Sequence, residues 1–394
     1  MTTASSKAPT TSVKEILGQT ASGLTIDIVE SHIVDCPTTR RHKLSNTEIA
    51  QQSYVIVKVV LRNGSIGYGE ASTLGGPRWA EECVESIKSV IDIYLAPAVI
   101  STDASAFERN ALRMAAAATR NYSAKAAIES ALYDAVGKSF DLPASALLGG
   151  AVRQSIEVIW ALASGDPEQE IEEANSKLEQ RLHRQFKIKL GFKSPEDDIR
   201  RLRRIVDALQ GRASIIVDIN QAWSEATALR FIPVLDEMGV RLIEQPLPAN
   251  HVAAMARVAA RSPIPIMVDE GAFTTADIAR AGINAEGSVY SLKLVKSGGL
   301  MEMKRAAGVA SSFGMELYGG CLIESGIGAA AHLAVFSTLP HLERGTEQFG
   351  PQILVQDLVC KGAEYRDFQV WCPSGPGLGI TVDEEVLRQV SRSG

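Results

Sequence analysis

The second half of the chain repeats one pattern, in which an apolar strand-like run is followed by an amphipathic helical stretch. The strand-like runs are IEVIWALA, FKIKL, ASIIVDIN, RLIEQPL, IPIMVDE, VYSLKLV and MELYGG, with helical patterns such as PEDDIRRLRRIVDAL between them. Strands that alternate with helices at this pitch indicate a parallel sheet. No nucleotide-type glycine loop follows the first strand, so the repetition favours a closed (β/α) barrel over an open doubly wound sheet.

The residues before this repeat have a different pattern. Alternating β-branched runs from LTIDIVESHIVDC to SYVIVKVVLRNGSIGYGEA predict strands, and two helical patterns with apolar spacings of three and four follow them. We therefore predict an α+β domain over residues 24–150 and a barrel over residues 151–350. Residues 351–394 are predicted to complete the barrel and to pack on the first domain. The Ser/Thr-rich residues 1–23 are predicted to be a flexible leader.

Composition excludes several classes of protein. The 394 residues include 45% hydrophobic and 22% charged residues, and the net charge of −6 leaves no basic footprint for nucleic acid or an anionic membrane. No apolar run reaches the length of about 18 residues that a membrane span needs. The five cysteines lack CxxC spacing, and their odd count predicts reduced thiols and a cytoplasmic location.

Five successive strand-like runs have a charged residue at or near their C-terminal end, at intervals of 24 to 29 residues. These residues are Lys189, Asp218, Glu244, Asp269 and Lys293. The C-terminal ends of barrel strands open on the same mouth, so these side chains are expected to converge there. A single Asp or Glu in such a position is more often a helix N-cap or a surface charge, but three in register on successive strands predict a site.

The three carboxylates, Asp218, Glu244 and Asp269, would form an anionic cluster made only of oxygen donors. Like charges this close would force one group to take up a proton, and a hard divalent cation removes that conflict. Oxygen ligands suit Mg²⁺ or Mn²⁺, and the absence of cysteine and histidine from the cluster argues against zinc.

The stretch QFKIKLGF places two lysines on one face of a strand whose other face is apolar. Lys189 and Lys293 would flank the metal from opposite sides. We expect the charge of Lys187, the metal and partial desolvation to lower the pKa of Lys189 so that it acts as a base. Lys187 could instead be a solvated lysine, and Lys296 is at most a secondary contact. These parts indicate removal of a proton next to a substrate carboxylate.

These motifs resemble the enolase superfamily and, within it, the muconate lactonizing enzyme subgroup. KIKLG resembles its KxK motif, VDIN, LIEQPL and VDE its three metal-ligand strands, and SLKLVKSGG its second lysine strand. The resemblance runs from about residue 24 to GPGLGI near the end of the chain. It implies a (β/α)7β modified TIM barrel with an N-terminal α+β capping domain, bound Mn²⁺ or Mg²⁺, and a homo-oligomer, either octamer or dimer.

The resemblance also implies roles for individual residues. Lys189 would be the acid/base, Lys293 its counterpart on the opposite face and Lys187 an assisting lysine, while Glu324 in YGGCLIESGIG would be a catalytic glutamate. Two capping-domain segments, RHKLSNTEIAQQS and EASTLGGPRWAEE, resemble loops that close over the barrel mouth. The substrate-contacting residues implied are Ile49, Tyr54 and Trp79 from these loops, with core packing as the alternative, and Asn220 and Glu270 near the metal ligands.

The activity implied is interconversion of a small dicarboxylate, cis,cis-muconate or a chloro- or methyl-substituted muconate, with muconolactone in aromatic degradation. A chloromuconate cycloisomerase, an N-acylamino acid racemase and an o-succinylbenzoate synthase are the alternatives within the superfamily. The absence of a DxD motif argues against a dipeptide epimerase. Outside the superfamily, a Schiff-base enzyme that uses Lys189 and a non-catalytic binding barrel stay open. With both lysines present, syn and anti proton addition are equally open.

Overall fold

The computed structural model describes residues 23–45 and 47–392. The predicted leader lies outside these residues except for Gly23. The chain begins with an antiparallel sheet in the order β1–β2–β3, formed by Ile26–Lys43, Glu48–Leu61 and Ile66–Ser72. The helix Tyr122–Phe140 packs closely on this sheet. Its approach needs a glycine at position 69, since a Cβ there would lie 2.0 Å from the Ala127 carbonyl oxygen.

The helices of this first domain follow the sheet and cover one of its faces. Valines of β2 and alanines of α4 form a separate buried core between them. The helices are α1 Val84–Val90, a π-helical turn Ile91–Leu95, α2 Ala96–Val99, α3 Phe107–Ala117, α4 Tyr122–Phe140 and α5 Ala144–Leu147.

A parallel sheet of seven strands forms the second domain, and the strands lie side by side in chain order. Thr346 bridges in parallel to both Val158 and Gly319, which lie at the two ends of this sheet. The segment around Thr346 therefore stands where an eighth strand closes the barrel. The predicted (β/α)7β barrel with an N-terminal α+β capping domain is confirmed. The strands are β5 Ile159–Leu162, β6 Gln185–Lys189, β7 Ser214–Asp218, β8 Ile243–Glu244, β9 Ile266–Val268, β10 Val289–Leu292 and β11 Glu316–Gly319, preceded by a short strand, β4 Ser155–Glu157.

Five of the helices that follow barrel strands begin at a residue whose side chain caps the helix. Asp166, Ser194, Ser224, Thr274 and Ser325 each accept a hydrogen bond from a backbone N–H in the first turn of the helix that follows. These caps satisfy N–H groups that have no partner within the helix. The helices are α6 Pro167–Glu179, α7 Pro195–Leu209, α8 Glu225–Glu237, α9 Val252–Ala259, α10 Thr275–Asn284, α11 Leu294–Ser297, α12 Leu300–Ser312 and α13 Gly326–Phe336.

The C-terminal residues contact both domains. Strand β14, Gln369–Trp371, pairs with β4, the short strand that precedes the barrel strands, while Ser391 and Leu354 bridge to Val34 and Thr38 of the capping sheet. The boundaries set at residues 150 and 350 stay predictions. Within the described residues, no helix is both long and apolar enough to cross a membrane. The last elements are a 3-10 turn Gly350–Gln352, β12 Val359–Lys361, β13 Glu364–Arg366, β14 Gln369–Trp371, β15 Thr381–Val382 and α14 Glu384–Val390.

A small apolar cluster is formed largely by strand residues that precede the charged ones by two positions. Ile216, Leu242 and Met267 belong to this buried cluster, and each stands two residues before one of the three carboxylates. Because side chains alternate along a strand, the carboxylates lie on the same face as these residues, one layer closer to the barrel mouth. This period of two brings the charges together.

Candidate active site

Strand β6 has an apolar face and a lysine face, as its sequence predicted. Phe186 and Ile188 are fully buried in the main core, as is Leu190 just after the strand. Lys187 and Lys189 are also buried, with relative exposures of 1% and 7%. A buried ammonium group needs an opposite charge, so the neighbouring strands must supply carboxylates.

Each of these two lysines has its own carboxylate partner. Lys189 Nζ lies 2.5 Å from Asp218 Oδ2 on the adjacent strand β7. Lys187 Nζ contacts Glu244 on β8 and lies 2.7 Å from Oε1 of Glu347. The solvated alternative for Lys187 is therefore wrong, because this lysine bridges two buried carboxylates.

A second group of ion pairs surrounds Asp269. Lys293 Nζ lies 2.5 Å from Oδ2 of Asp269, and Lys296 Nζ lies 3.1 Å from its Oδ1. Lys296 also donates to the Asp269 backbone carbonyl at 3.0 Å. Burial lowers the pKa of Lys296 to about 8, although Asp269 opposes this shift. Lys296 is thus a fully buried partner of Asp269, closer to the site than its sequence position indicated.

The ion pairs determine how the lysines titrate. Burial by itself lowers the pKa of Lys189, but the negative charges of Asp218, Glu244 and Glu347 together hold this pKa above its usual value. Burial likewise lowers the pKa of Lys293, and the charges of Asp269, Glu244 and Glu270 together raise it above its usual value. The expected lowering of the Lys189 pKa included the charge of a bound cation, so it stays a prediction for the metal-bound enzyme. Lys189 is held in its protonated form, ready to donate a proton.

The carboxylates show the conflict that their spacing predicted. Burial raises the pKa of Glu244 well above its usual value, and the negative charge of Asp218 adds to this effect. Burial opposes ionisation of Asp218 as well, but Lys189 and Lys187 hold its pKa below the usual value. Burial and the charges of Asp269 and Asp218 raise the pKa of Glu270 to about 7. The cluster therefore holds more negative charge than it can keep ionised without help.

The donor chemistry of this cluster fits a hard divalent cation. Asp218, Glu244 and Asp269 are all buried, and Oε1 of Glu244 has no hydrogen-bond partner. Among the residues that the structure describes, no three Asp, Glu, His or Cys side chains are arranged so that they could already share a metal ion. Lysine ammonium groups contact the carboxylate oxygens instead. The assignment of the three carboxylates as metal ligands stays a prediction.

One cavity brings half of the twelve predicted site residues together. Its lining includes Lys187, Lys189, Asp218, Asn220, Lys293 and Trp79. Trp79 comes from the capping domain and lies over Lys293, with 4.4 Å between its ring centroid and the lysine Nζ. Asn220 donates from Nδ2 to Glu270 Oε1 at 3.2 Å. The other lining residues are His42, Leu74, Ala161, Cys321, Leu322, Ile323, Glu347 and Phe349.

Six predicted residues do not line this cavity. Three of them, Glu244, Asp269 and Glu270, are buried carboxylates of the cluster described above. The other three are Ile49, Tyr54 and Glu324. Ile49 is buried in the main core, which is the packing alternative weighed for it. Tyr54 is fully buried and donates a hydrogen bond to the Ile323 carbonyl at 2.6 Å. Glu324 is turned toward its own backbone, because its Oε1 accepts from the Leu322 N–H at 2.9 Å. The catalytic role of Glu324 and the substrate contacts of Ile49 and Tyr54 stay predictions that the geometry does not favour.

The structure places a different carboxylate, Glu347, in the cavity. The sequence around it, HLERGTEQFG, contains no apolar strand-like run, which is why strand patterns missed it. The spacing of the repeat makes it a candidate, which the structure then decides. Glu347 lies 54 residues after Lys293, which is two further β/α units of the established length. It follows Thr346, the residue that closes the barrel.

Exchanging the carboxylate of Glu347 for an amide is expected to reduce kcat/KM at least about tenfold, because Lys187 then loses a buried ionic partner inside the cavity. The matched variant Glu324→Gln retains the acceptor for the Leu322 N–H and is expected to change kcat/KM by less than about threefold. Steady-state kinetics of both variants would show which glutamate serves the site. A larger loss in Glu324→Gln than in Glu347→Gln would contradict this placement.

Comparison with known proteins agrees with the fold. A family model described as Enolase C-terminal domain-like matches residues 169–386. A second model, described as Mandelate racemase / muconate lactonizing enzyme, N-terminal domain, matches residues 28–149. The first match alone covers more than half of the chain. The chain belongs to the enolase superfamily, in the mandelate racemase / muconate lactonizing enzyme family.

Individual relatives agree over nearly the whole chain. A chloromuconate cycloisomerase from Pseudomonas putida is 41% identical over 369 residues, which cover 94% of this chain and 100% of that protein. Muconate cycloisomerase 1 from Pseudomonas putida is 42% identical and covers 93% of this chain and 98% of its own length. This chain is accordingly an isomerase of the intramolecular lyase type, and members of its superfamily bind a divalent metal.

Solved structures share the architecture. A muconate lactonizing enzyme from Pseudomonas fluorescens, solved in complex with muconolactone, superposes with a TM-score of 0.93 at 42% identity and covers 94% of this chain and 100% of its own. A 2-chloromuconate cycloisomerase from Rhodococcus opacus gives a TM-score of 0.91 at 37% identity, with coverage of 94% and 100%. The relatives thus include enzymes named for both the unsubstituted and the chlorinated substrate.

Proposed function

We propose that this chain is a divalent-metal-dependent cycloisomerase that interconverts cis,cis-muconate, or a chloro- or methyl-substituted muconate, with the corresponding muconolactone. The observation that carries the proposal is a pair of buried ion pairs at one cavity. Lys189 pairs with Asp218 on the neighbouring strand, and Lys293 pairs with Asp269 at the end of the adjacent strand. Relatives of this chain are named chloromuconate cycloisomerase and muconate cycloisomerase, which supports the same type of activity for this chain.

The charge balance of the site supports a dianionic substrate together with a divalent cation. The buried ion pairs join four lysines to four carboxylates, so the paired groups are close to neutral overall. A dicarboxylate would add two negative charges to this buried site, which are costly without compensation. A divalent cation supplies the two matching positive charges. The paired groups are Lys187, Lys189, Lys293 and Lys296 with Asp218, Glu244, Asp269 and Glu347.

The lysines supply the proton chemistry. Lactone formation joins one carboxylate oxygen of the diacid to an alkene carbon of the diene, and the electron pair of that double bond moves toward the other carboxylate to give an enolate. The enolate must receive one proton on the carbon beside that carboxylate. Lys189, held protonated by Asp218, is suited to give that proton, and solvent restores it. Lactone opening runs the same steps in reverse. When bound, a cation held by Asp218, Glu244 and Asp269 would stabilise negative charge that develops on the substrate carboxylate.

Lys293 faces the site from the other side of the carboxylate cluster. Its ammonium group lies between Asp269 and the ring of Trp79, and it lines the same cavity as Lys189. In this position Lys293 adds positive charge at the opposite face of the substrate and keeps the capability to protonate that face. The pocket is completed on its apolar side by Leu74, Ile323 and Phe349.

An ultraviolet assay tests the proposal directly. Purified protein with Mn²⁺ or Mg²⁺ is mixed with cis,cis-muconate and, separately, with 2- or 3-chloromuconate, and loss of diene absorbance is followed. Turnover of at least one of these diacids to its lactone is expected. Deuterium exchange into an N-acylamino acid without lactone formation would instead indicate a racemase, and borohydride trapping of Lys189 would indicate a Schiff-base enzyme.

We also propose that the protein acts in the cytoplasm as a homo-oligomer, an octamer or a dimer. The five cysteines form no disulfide, which supports a reducing compartment. Apolar side chains such as Ile93, Tyr94 and Leu112 are more than half exposed on the capping domain, which supports association between copies. Light scattering of the purified protein would give the number of subunits.

A further inference from the structure

One wall of the cavity is a short stretch of backbone between β11 and α13. Cys321, Leu322 and Ile323 line the cavity, and Glu324 and Ser325 lead into helix α13. We refer to residues 321–325 as the wall segment. Gly350 packs against its back so closely that a Cβ there would lie 2.0 Å from the Glu324 carbonyl oxygen. The wall segment is therefore a fixed surface whose backbone path shapes the pocket.

The capping sheet hydrogen-bonds the two central residues of the wall segment. Gln52 Nε2 donates to the Leu322 carbonyl at 2.5 Å, and Tyr54 Oη donates to the Ile323 carbonyl at 2.6 Å. Gln52 and Tyr54 are two positions apart on β2, so their side chains leave the same face of the sheet. Both are buried, and neither lines the cavity.

The adjacent strand β3 hydrogen-bonds the next two residues. Ser72, which pairs in register with Tyr54, donates to the Glu324 carboxylate at 3.3 Å. Glu70 accepts from the Ser325 N–H at 3.1 Å and also contacts the Ser325 hydroxyl. Four consecutive residues of the wall segment are thus each bound by a different side chain of one sheet face. The capping domain determines the path of this backbone across the domain boundary.

The backbone at the centre of the wall segment is strained. Ile323 has φ of +58°, in the left-handed region that a β-branched residue rarely adopts. Such a conformation persists only where surrounding contacts hold it. At Ile323 the only side-chain hydrogen bond to its carbonyl among the described residues comes from Tyr54. The hydroxyl of Tyr54 therefore opposes relaxation of a β-branched lining residue that is held in an unfavourable conformation.

We propose that Tyr54 is a positioning residue that sets substrate selection, by holding Ile323 in its left-handed conformation and so keeping the cavity wall close to the substrate. This inference rests on the proposed function and deepens it. A relaxed wall would give more room to a chlorine on the diene chain, so the held wall favours the unsubstituted diacid over a chlorinated one. Tyr54 would act through the Ile323 backbone and not by touching substrate.

The variant Tyr54→Phe removes the hydroxyl and keeps the ring. Its ratio of kcat/KM for cis,cis-muconate to kcat/KM for a chloromuconate is expected to fall by at least about fivefold, near the tenfold worth of one buried hydrogen bond. Tyr68→Phe is the matched control, because Tyr68 lies on the same sheet but its hydroxyl contacts Glu384, away from the cavity. That variant is expected to change the ratio by less than twofold.

The left-handed conformation gives a second test. Glycine adopts positive φ without strain, so Ile323→Gly should make the Tyr54 hydroxyl unnecessary. In the Ile323→Gly protein, adding Tyr54→Phe is expected to change the ratio by less than twofold. A fivefold change that persists in this background would overturn the role assigned to Ile323. Should Tyr54→Phe fail to fold, Gln52→Met removes the neighbouring hydrogen bond and is tested in the same way.

Amide hydrogen exchange separates this inference from the proposed function. A peptide that spans residues 321–325 is expected to exchange faster in Tyr54→Phe than in the unaltered chain, with no change in Tyr68→Phe. If the unaltered enzyme converts neither diacid, the proposed function fails, while the exchange result still decides whether Tyr54 holds the wall. If the enzyme is active but Tyr54→Phe changes neither exchange nor the ratio, the inference fails.

Discussion

Replacement of Lys189 by alanine is expected to lower kcat by about 10² to 10⁴, the usual contribution of a positioned acid or base, while the protein stays folded. Lys189 is the lysine whose ammonium group is held protonated by Asp218 at the cavity. Without it, the enolate has no positioned proton donor on that face. Diene absorbance measured with and without the substitution gives the change in kcat directly.

Two further measurements make the result on Lys189 specific. Lys193→Ala is the matched control, because Lys193 lies four residues after Lys189 and is exposed. The Lys193→Ala enzyme should therefore have an activity close to that of the unaltered chain. Circular dichroism of Lys189→Ala should show the fold retained. Near-normal turnover by Lys189→Ala would remove this lysine from the chemistry and with it the proposed mechanism.

The substitution Asp218→Asn is expected to abolish activity together with metal binding. It leaves the side-chain volume almost unchanged but removes a carboxylate that the charge balance of the site requires. Mn²⁺ affinity, measured by electron paramagnetic resonance in the absence of substrate, should fall at least about 100-fold. Changing a group that only supports the metal ligands can already lower metal affinity by up to about 100-fold, so loss of a ligand should do no less. Excess chelator should likewise abolish turnover by the unaltered enzyme.

The metal experiment also has a matched control. Asp236→Asn changes an exposed carboxylate on helix α8 and should alter neither Mn²⁺ affinity nor activity. Full activity in excess chelator would show that the carboxylate cluster does not need a cation. Unchanged Mn²⁺ affinity in Asp218→Asn would show that the ion binds elsewhere.

The strand ends of the barrel could be predicted from sequence because two periodicities coincide there. The alternation within each strand gives each charged residue its face, and the repeat of 24 to 29 residues gives each its neighbour. The parallel order of strands β5 to β11 confirmed the predicted (β/α) barrel. Lys187, Lys189, Asp218 and Lys293 then line one cavity, as local pattern and spacing indicated.

The contacts between domains could not be predicted in this way. Tyr54 was expected at the substrate, yet it binds the backbone of Ile323, 269 residues away in sequence. Glu324 and Glu347 are both acidic residues after the last full strand, and only the closing bridge at Thr346 shows which of them reaches the cavity. The buried contact of Lys189 with Asp218, which contributes to raising the pKa of this lysine, also depends on how the neighbouring strands pack.

The sequence by itself determined the barrel and the residues at its strand ends, and it predicted the enolate type of chemistry. The barrel and its strand ends follow from the alternation of side chains within each strand and from the regular repeat of strands along the chain. Only the tertiary structure decided which carboxylate each lysine pairs with, and that Glu347 belongs to the cavity. It also decided that the capping sheet holds the strained wall at Ile323. These properties depend on distances between residues far apart in the chain, and such distances exist only after the two domains have packed together.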